Sequence, residues 1–230
     1  MSNNVRLIAI TQPLIQLNDD IVQSRLMSPD EFIAYTARVS NPSNQNNNLT
    51  AEKLVKYLAK NKHWSPFEMI DAVMEINTTR DIARQILRHR SFSFQEFSQR
   101  YADPTKDMGF VTREARLQDK KNRQNSIETS DEVLESQWNE KQNQVMTAAQ
   151  DAYRWAIENG VAKEQSRVVL PEGLTMSRLY MKGSIRSWIH YCGIRMGKAT
   201  QKEHREIATD CWYKLIKVLP SIRESITIED

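Results

Sequence analysis

Residues 69–79, MIDAVMEINTT, set Ile70, Ala72, Met74 and Ile76 at every second position, the period of a strand with one buried face. At Thr79 the period changes. Thr79 can cap a helix, Asp81 falls in its first turn, and Ile82, Ala83, Ile86 and Leu87 recur at helical spacing. A strand that runs straight into a helix excludes a plain helical bundle and asks for a layered α+β arrangement.

The flanking sequence supports that architecture. VRLIAI, residues 5–10, reads as a buried strand ending before Pro13. SPDEFIAYTARVS begins with a capping Ser28, a first-position proline and two acids, which predicts a helix to about Val39. After the polar run NPSNQNNNLT, Thr50 caps a helix carrying Leu54, Val55, Tyr57 and Leu58. HWSPFE follows as an extended turn, because the residue before a proline is pushed out of the helical region. Past residue 90, SFSFQEFS alternates small or polar residues with Phe92, Phe94 and Phe97 and predicts an extended segment. Ser130 to Asn159 forms the longest helix, with Val133, Leu134, Trp138, Val145, Ala148, Ala149, Ala152, Tyr153 and Ala156 at its apolar positions and Gly160 as its stop. TMSRLYMKGS reads as a strand and SIRSWIHYCGIRM as a helix with Ile185, Trp188, Ile189 and Cys192 inward. A last helix opens on the capping box TQKE, buries Ile207, Cys211, Leu215 and Val218, and stops at Pro220. The expectation is one α+β domain over residues 1–230, with a mainly antiparallel sheet packed by helices.

Residues 80–101, RDIARQILRHRSFSFQEFSQRY, carry five arginines and no lysine. Arginine presents a planar fork of donors suited to phosphate and carboxylate, whereas lysine is a mobile point charge. Gln85, Arg88 and His89 share one helical face, and Gln95, Glu96, Ser98 and Arg100 follow where the helix ends. The stretch is suited to oriented anion recognition. A solvated basic helix followed by a core strand is the plainer alternative.

Composition narrows the class of protein. With 230 residues, 40% apolar and 27% charged, the chain can bury a full core. A formal charge of +3 is too small to argue for nucleic acid by itself. Two cysteines without metal-ligand spacing, no run long enough to span a membrane and no signal-like start predict a reduced, cytoplasmic protein.

The spacing RHR, seven residues, then Ser98-Gln99-Arg100 resembles the signature of flavin-dependent thymidylate synthases. HWSPFE resembles that family's HxxPFE element, with His63 and Glu68 at its ends. AKEQSRVVLP resembles its ExxRxxLP element at Glu164 and Arg167, and Ser184 to Arg195 resembles its flavin and arginine segment. The likeness spans roughly residues 60–215 and departs at Ser65, Met69 and His190, where threonine, histidine and asparagine are frequent. The stretch 103–127, read as loops around a short strand near GFVTREARL, matches no motif.

The resemblance implies reductive methylation of dUMP to dTMP, with methylenetetrahydrofolate as carbon donor, FAD as hydride carrier and NADPH as reductant. It implies dUMP contacts at Gln85, Arg88, Glu96, Phe97, Ser98, Gln99, Arg100, Arg167 and Arg195. Flavin contacts would fall on His63, Ser65, Arg88, His89, Arg90, Glu96, Ser184, Ile185, Arg186 and His190. Arg195 becomes the catalytic residue, stabilising a uracil ring ionised at N3, since a guanidinium with a pKa above ~12 is a poor proton acceptor. Glu164 would orient Arg167, and the family's homotetramer would share sites between subunits. No GxGxxG fingerprint is present, so the flavin must be held by helix ends and side chains. Cys192 and Cys211 fall on apolar helix faces and are assigned to packing, and Ser98, lacking an adjacent base, is a hydrogen-bond donor rather than a nucleophile. Two rivals remain: a nucleic-acid-binding protein stacking bases on the phenylalanines, and a metal-dependent nucleotide hydrolase, for which histidines scattered at 63, 89, 190 and 204 are poorly placed.

Overall fold

The computed structural model describes residues 4–19 and 22–226. In chain order, β1 (Asn4–Ile10) precedes a hairpin of β2 (Gln16–Asp19) and β3 (Val22–Leu26), then come α1 (Pro29–Ala37), α2 (Ala51–Lys60), β4 (Asp71–Thr79), α3 (Arg80–Ile86) and β5 (Ser93–Glu96). A short turn α4 (Pro104–Asp107) leads to a second hairpin, β6 (Arg116–Gln118) and β7 (Ser126–Glu128), and to the long α5 (Glu132–Glu158). A single turn α6 (Lys163–Ser166), β8 (Met176–Ser184), α7 (Ile185–Arg195) and α8 (Lys202–Val218) complete it. The main sheet has four strands in the order β1-β4-β8-β5, every pair antiparallel. This is the α+β class that the periodicity predicts.

The sheet has one dry face and one polar face. Ala72, Met74 and Ile76 of β4 and Leu179 and Met181 of β8 are wholly buried and pack into one core with residues of α1, α2, α3, α7 and α8. On the other face, Arg6 pairs with Glu75 at 3.0 Å, Tyr180 donates to Glu75 at 3.1 Å, and Lys182 meets Asp71 at 2.8 Å. Alternation along a strand sends successive side chains to opposite faces, so this two-sided pattern follows from the sequence. At the sheet's ends both central strands turn directly into helices. Ser184 accepts from Ser187 N at the start of α7, and the indole of the fully buried Trp188 donates back to the Ala72 carbonyl at 3.2 Å.

Several local expectations change in the structure. β1 is an edge strand in which Val5 is buried and Ile8 is 46% exposed, where a break in register between Leu7 and Ala9 leaves Ile8 without a partner on β4. HWSPFE is a 3-10 turn over Ser65–Met69 with proline in its first turn, not an extended segment. Proline's fixed φ suits that first-turn position. Thr50 does not cap α2 through its side chain, since its hydroxyl accepts from Arg38 at 2.7 Å. Thr79 likewise makes no side-chain cap, and its hydroxyl donates to Asp81 at 2.6 Å. The TQKE capping box does not form: Gln201 stands at the N-cap without a side-chain cap, and Glu203 turns to Arg116 at 2.5 Å. An ion pair with a guanidinium outbids a second backbone bond there. Helix α5 begins after Asp131 rather than Ser130, and Gly160 ends it at φ +77, a conformation open to glycine. Of its apolar residues only Ala149, Tyr153 and Ala156 are buried, while Val133, Trp138 and Val145 are half or more exposed or nearly so. Tyr57 and Val218 also face outward.

One contact joins the sheet to the site. A Cβ at Gly183 would lie 2.5 Å from the Phe92 ring. That ring packs edge-on to Trp188 at 4.9 Å and to Tyr191 at 5.8 Å, so it has no room to retreat. Gly183→Ala is expected to destabilise the protein by about 1–3 kcal/mol in urea unfolding, the cost of overpacking a filled core. An unchanged unfolding midpoint would mean that the ring moves freely.

Candidate active site

The arginine-rich stretch splits into three roles. Arg80, at 8% exposure, lies 3.6 Å from Glu96, and the Glu96 carboxylate also accepts from Ser177 at 2.9 Å. Arg84 pairs with Glu172 at 3.1 Å. These two guanidinium groups hold the end of β4 against its surroundings. Arg88 and Arg90 stand exposed beyond α3 with no ion pair to a described residue. Arg100 lies 3.7 Å from the Glu164 carboxylate, and Arg167 donates to the Glu164 carbonyl at 3.2 Å. Glu164 therefore gathers both arginines, the first through its side chain and the second through its backbone. Ser98 accepts from Arg100 N at 3.4 Å, Phe97 is half-buried, and Gln99, at 4% exposure, carries a buried Nε2 with no partner among the described residues.

The end of α3 meets the end of α7. Arg195 Nε donates to His89 Nε2 at 3.0 Å, so that nitrogen must carry a lone pair and the imidazole proton sits on Nδ1. Burial, then the charges of Arg195 and Arg88, push the His89 pKa down to about 4, which keeps the ring neutral and able to accept. Both Arg195 Nη groups remain without a hydrogen bond to a described residue. The guanidinium is thus aimed by one nitrogen and open at two.

A buried histidine that sequence reasoning did not assign lies beside this pair. His204 is fully buried, with Nδ1 3.2 Å from Gln85 Oε1 and Nε2 3.1 Å from the Tyr191 hydroxyl. Burial, then Arg195 and His89, lower its pKa to about 3. Gln85 Nε2 donates to Gln201 Oε1 at 2.8 Å, and Gln201 Nε2 donates to Glu203 at 3.0 Å. Burial works to raise the Glu203 carboxyl, but the Arg116 hydrogen bond and the charges of Arg113 and Arg116 more than offset it.

The third cluster is built on the HWSPFE turn. Glu68 accepts from Ser184 Oγ at 2.5 Å and from Arg186 at 2.8 Å, and those hydrogen bonds hold its carboxyl below the ordinary range. Trp64 packs edge-on to His190 at 5.1 Å, and burial lowers the His190 pKa. His63 is exposed and touches Tyr57 edge-on, Ser65 is exposed, and Ile185 is fully buried in the core, so its side chain cannot meet a ligand. A groove of about 900 Å³ opens here, with Trp64, His190, Lys62 and Lys198 along it and the backbone of Gly193 and Gly197 in its wall. Aromatic faces and cations in one groove are a donor set that fits a ring system bearing phosphates.

Two side chains in the unmatched stretch 103–127 also prove structural to the site. Arg113 donates to Thr79 at 2.6 Å and to Asp81 at 2.7 Å, and Arg116 reaches Glu203 from β6. Their only signal in the sequence was charge. Phe92 and Phe94 pack against the core, which takes two of the three phenylalanines from the stacking platform of the nucleic-acid alternative. Among the described residues no three His, Cys, Asp or Glu side chains gather as a metal site. Cys192 and Cys211 are fully buried, and burial raises both thiols, so they pack rather than react. Among the described residues no helix is long and apolar enough to cross a membrane.

Residues 22–221 match the family described as thymidylate synthase complementing protein. The chain is 47% identical over 223 residues to the flavin-dependent thymidylate synthase of Synechocystis sp., covering 97% of this chain and 99% of that one. It is 43% identical, over 97% of this chain and 98% of the other, to a protein of Paramecium bursaria Chlorella virus 1 named probable flavin-dependent thymidylate synthase. In fold it is similar to the UMP/dUMP methylase PolB of Streptomyces cacaoi, solved with 5-Br dUMP, at a TM-score of 0.80 and 22% identity over 97% of this chain and 94% of that one.

The two depressed histidines make stability depend on pH. Unfolded, each titrates near ~6.5, whereas folded they stay neutral down to about 4 at His89 and about 3 at His204. Below ~6.5 the unfolded chain binds more protons, so stability falls on acidification through that window. Asp30, pushed up to about 6 by burial, works in the opposite direction. The thermal midpoint is expected to drop between pH 7 and pH 5, and to drop less in His204→Asn; equal slopes in the two proteins would contradict the buried neutral ring.

Proposed function

The chain belongs to the flavin-dependent thymidylate synthase family, and on that premise we propose that it methylates dUMP reductively to dTMP. Methylenetetrahydrofolate is the carbon donor, NADPH the reductant and FAD the bound carrier. FAD supplies the hydride. The observation that carries this reading is the Arg195 guanidinium, fixed through Nε by a neutral His89 that the exposed Arg88 and Arg90 flank in sequence, with both Nη groups open.

Each group then has a task that its placement supports. Arg100 and Arg167, drawn together by Glu164, would hold the dUMP phosphate with Arg88, while Gln85 and the Ser98 hydroxyl supply single hydrogen bonds. The Trp64–His190 groove, lined also by Lys62 and Lys198, would take the flavin nucleotide, with Arg90 as a further cation for it. Glu68 would order that groove by tying Ser184 and Arg186 together. Arg195 would stabilise the negative charge left on the uracil once its N3 proton has passed to solvent, a role that needs a fixed cation and does not ask the guanidinium to take the proton. His190 stands where asparagine is frequent in the family, and its depressed pKa leaves it a neutral ring able to donate one N–H. The exposed Trp138, Val145 and Trp155 of α5 supply apolar surface for the homotetramer that would complete the site in the cytoplasm.

The direct test is product formation: purified enzyme with FAD, NADPH, methylenetetrahydrofolate and dUMP should yield dTMP, and omission of any one should abolish it. A colourless protein that takes up no FAD and makes no dTMP would sink the proposal. Arg195→Lys keeps the charge but loses the planar fork, and kcat is expected to fall about 100-fold while dUMP affinity changes far less. Unchanged kcat would remove Arg195 from the reaction.

A further inference from the structure

The hydrogen bonds around Gln85 run in one direction, and a carboxylate at one end dictates it. Ionised Glu203 can only accept, so Gln201 must turn its NH2 to Glu203 and its carbonyl to Gln85. Gln85 must then turn its own NH2 to Gln201 and its carbonyl to His204. His204 answers with a proton on Nδ1, which leaves a lone pair on Nε2 for the hydroxyl of Tyr191. That phenol is 1% exposed and burial raises its pKa well above the usual value, so it keeps the proton to donate. Arg116 closes the far end on Glu203. No member of the row can reverse alone without setting donor against donor or acceptor against acceptor.

We infer that Glu203, acting through Gln201, and His204 are positioning residues that lock the Gln85 amide in one orientation, leaving one N–H and one oxygen lone pair free for the pyrimidine nucleotide. The inference rests on the reading of Gln85 as a dUMP ligand. A free amide would sample both flips and lose part of its binding energy to ordering. The clamp removes that cost before the substrate arrives. It also couples the β6–β7 hairpin to the nucleotide, since Arg116 of that hairpin anchors the carboxylate.

The test is titration of dUMP into the FAD-loaded enzyme by calorimetry, with parallel KM values for dUMP and methylenetetrahydrofolate. Gln85→Ala examines the underlying reading: unchanged dUMP affinity there means Gln85 is no ligand and withdraws the basis of the inference. His204→Leu removes the donor and is expected to weaken dUMP by about three- to tenfold, one hydrogen bond's contribution, with the folate KM and FAD retention unmoved. His204→Asn, whose amide places an N–H where Nδ1 stands, should bring affinity back to within about twofold. In the Gln85→Ala background the leucine change should have no further effect. If the leucine variant does not fold, His204→Gln takes its place, because its longer amide reaches Tyr191 rather than Gln85. The inference is overturned if Gln85→Ala weakens dUMP but the His204 variants do not, or if their loss persists without Gln85 or is not recovered by asparagine.

Discussion

Arg195 and His89 each set the condition for the other. Burial first and the guanidinium charge second disfavour protonation of the imidazole, and only the unprotonated imidazole can accept from the guanidinium. Partial burial strengthens both effects by weakening the competing solvation. The result is a cation with a fixed direction at the junction of two helices, with no carboxylate partner among the described residues to neutralise it. Everything proposed for the chemistry depends on that uncompensated charge.

The fold exists to bring those helix ends together. Strands β4 and β8 pair along their full lengths, Asp71 opposite Ser184 and Thr79 opposite Met176, and each runs directly into a helix. Antiparallel pairing starts α3 and α7 from opposite ends of the same strand pair. Their apolar faces, Ile82, Ala83 and Ile86 on one and Ile185, Trp188, Ile189 and Cys192 on the other, then settle on one core. Phe92, seated over Gly183 and against Trp188 and Tyr191, locks the loop that follows His89. Tyr191 serves both sides: its ring packs on Phe92 and His89, and its hydroxyl enters the row that ends at Glu203.

Much of this was legible in the sequence where periodicity and spacing speak. The alternation over 69–79, the capping Ser28 and the helix after Ser184 all match the structure, and the family that the gapped motifs resemble is the one that residues 22–221 match. What could not be read was partner choice across distance. Glu203 stands where a capping box would place it, yet Arg116, 87 residues away, takes its carboxylate. His204 looked like one of four scattered histidines, because nothing local announces a buried ring whose partners are 119 and 13 positions off. Arg113 and Arg116 lay in a charged stretch without apolar rhythm, where long-range ion pairs leave no pattern. Helix α5 shows the opposite failure: its apolar residues obey helical spacing, but the described chain covers only one flank of it.

The most direct measurement of the central claim is the protonation state of the two buried imidazoles, read by nitrogen-15 NMR of histidine-labelled, FAD-loaded protein between pH 5 and pH 8. The account predicts that His89 and His204 both remain neutral across that range, each with its proton on Nδ1. A titration of His89 near ~6.5, or a proton on its Nε2, would mean that it does not hold Arg195, and the electrostatic account of the site would fall with it.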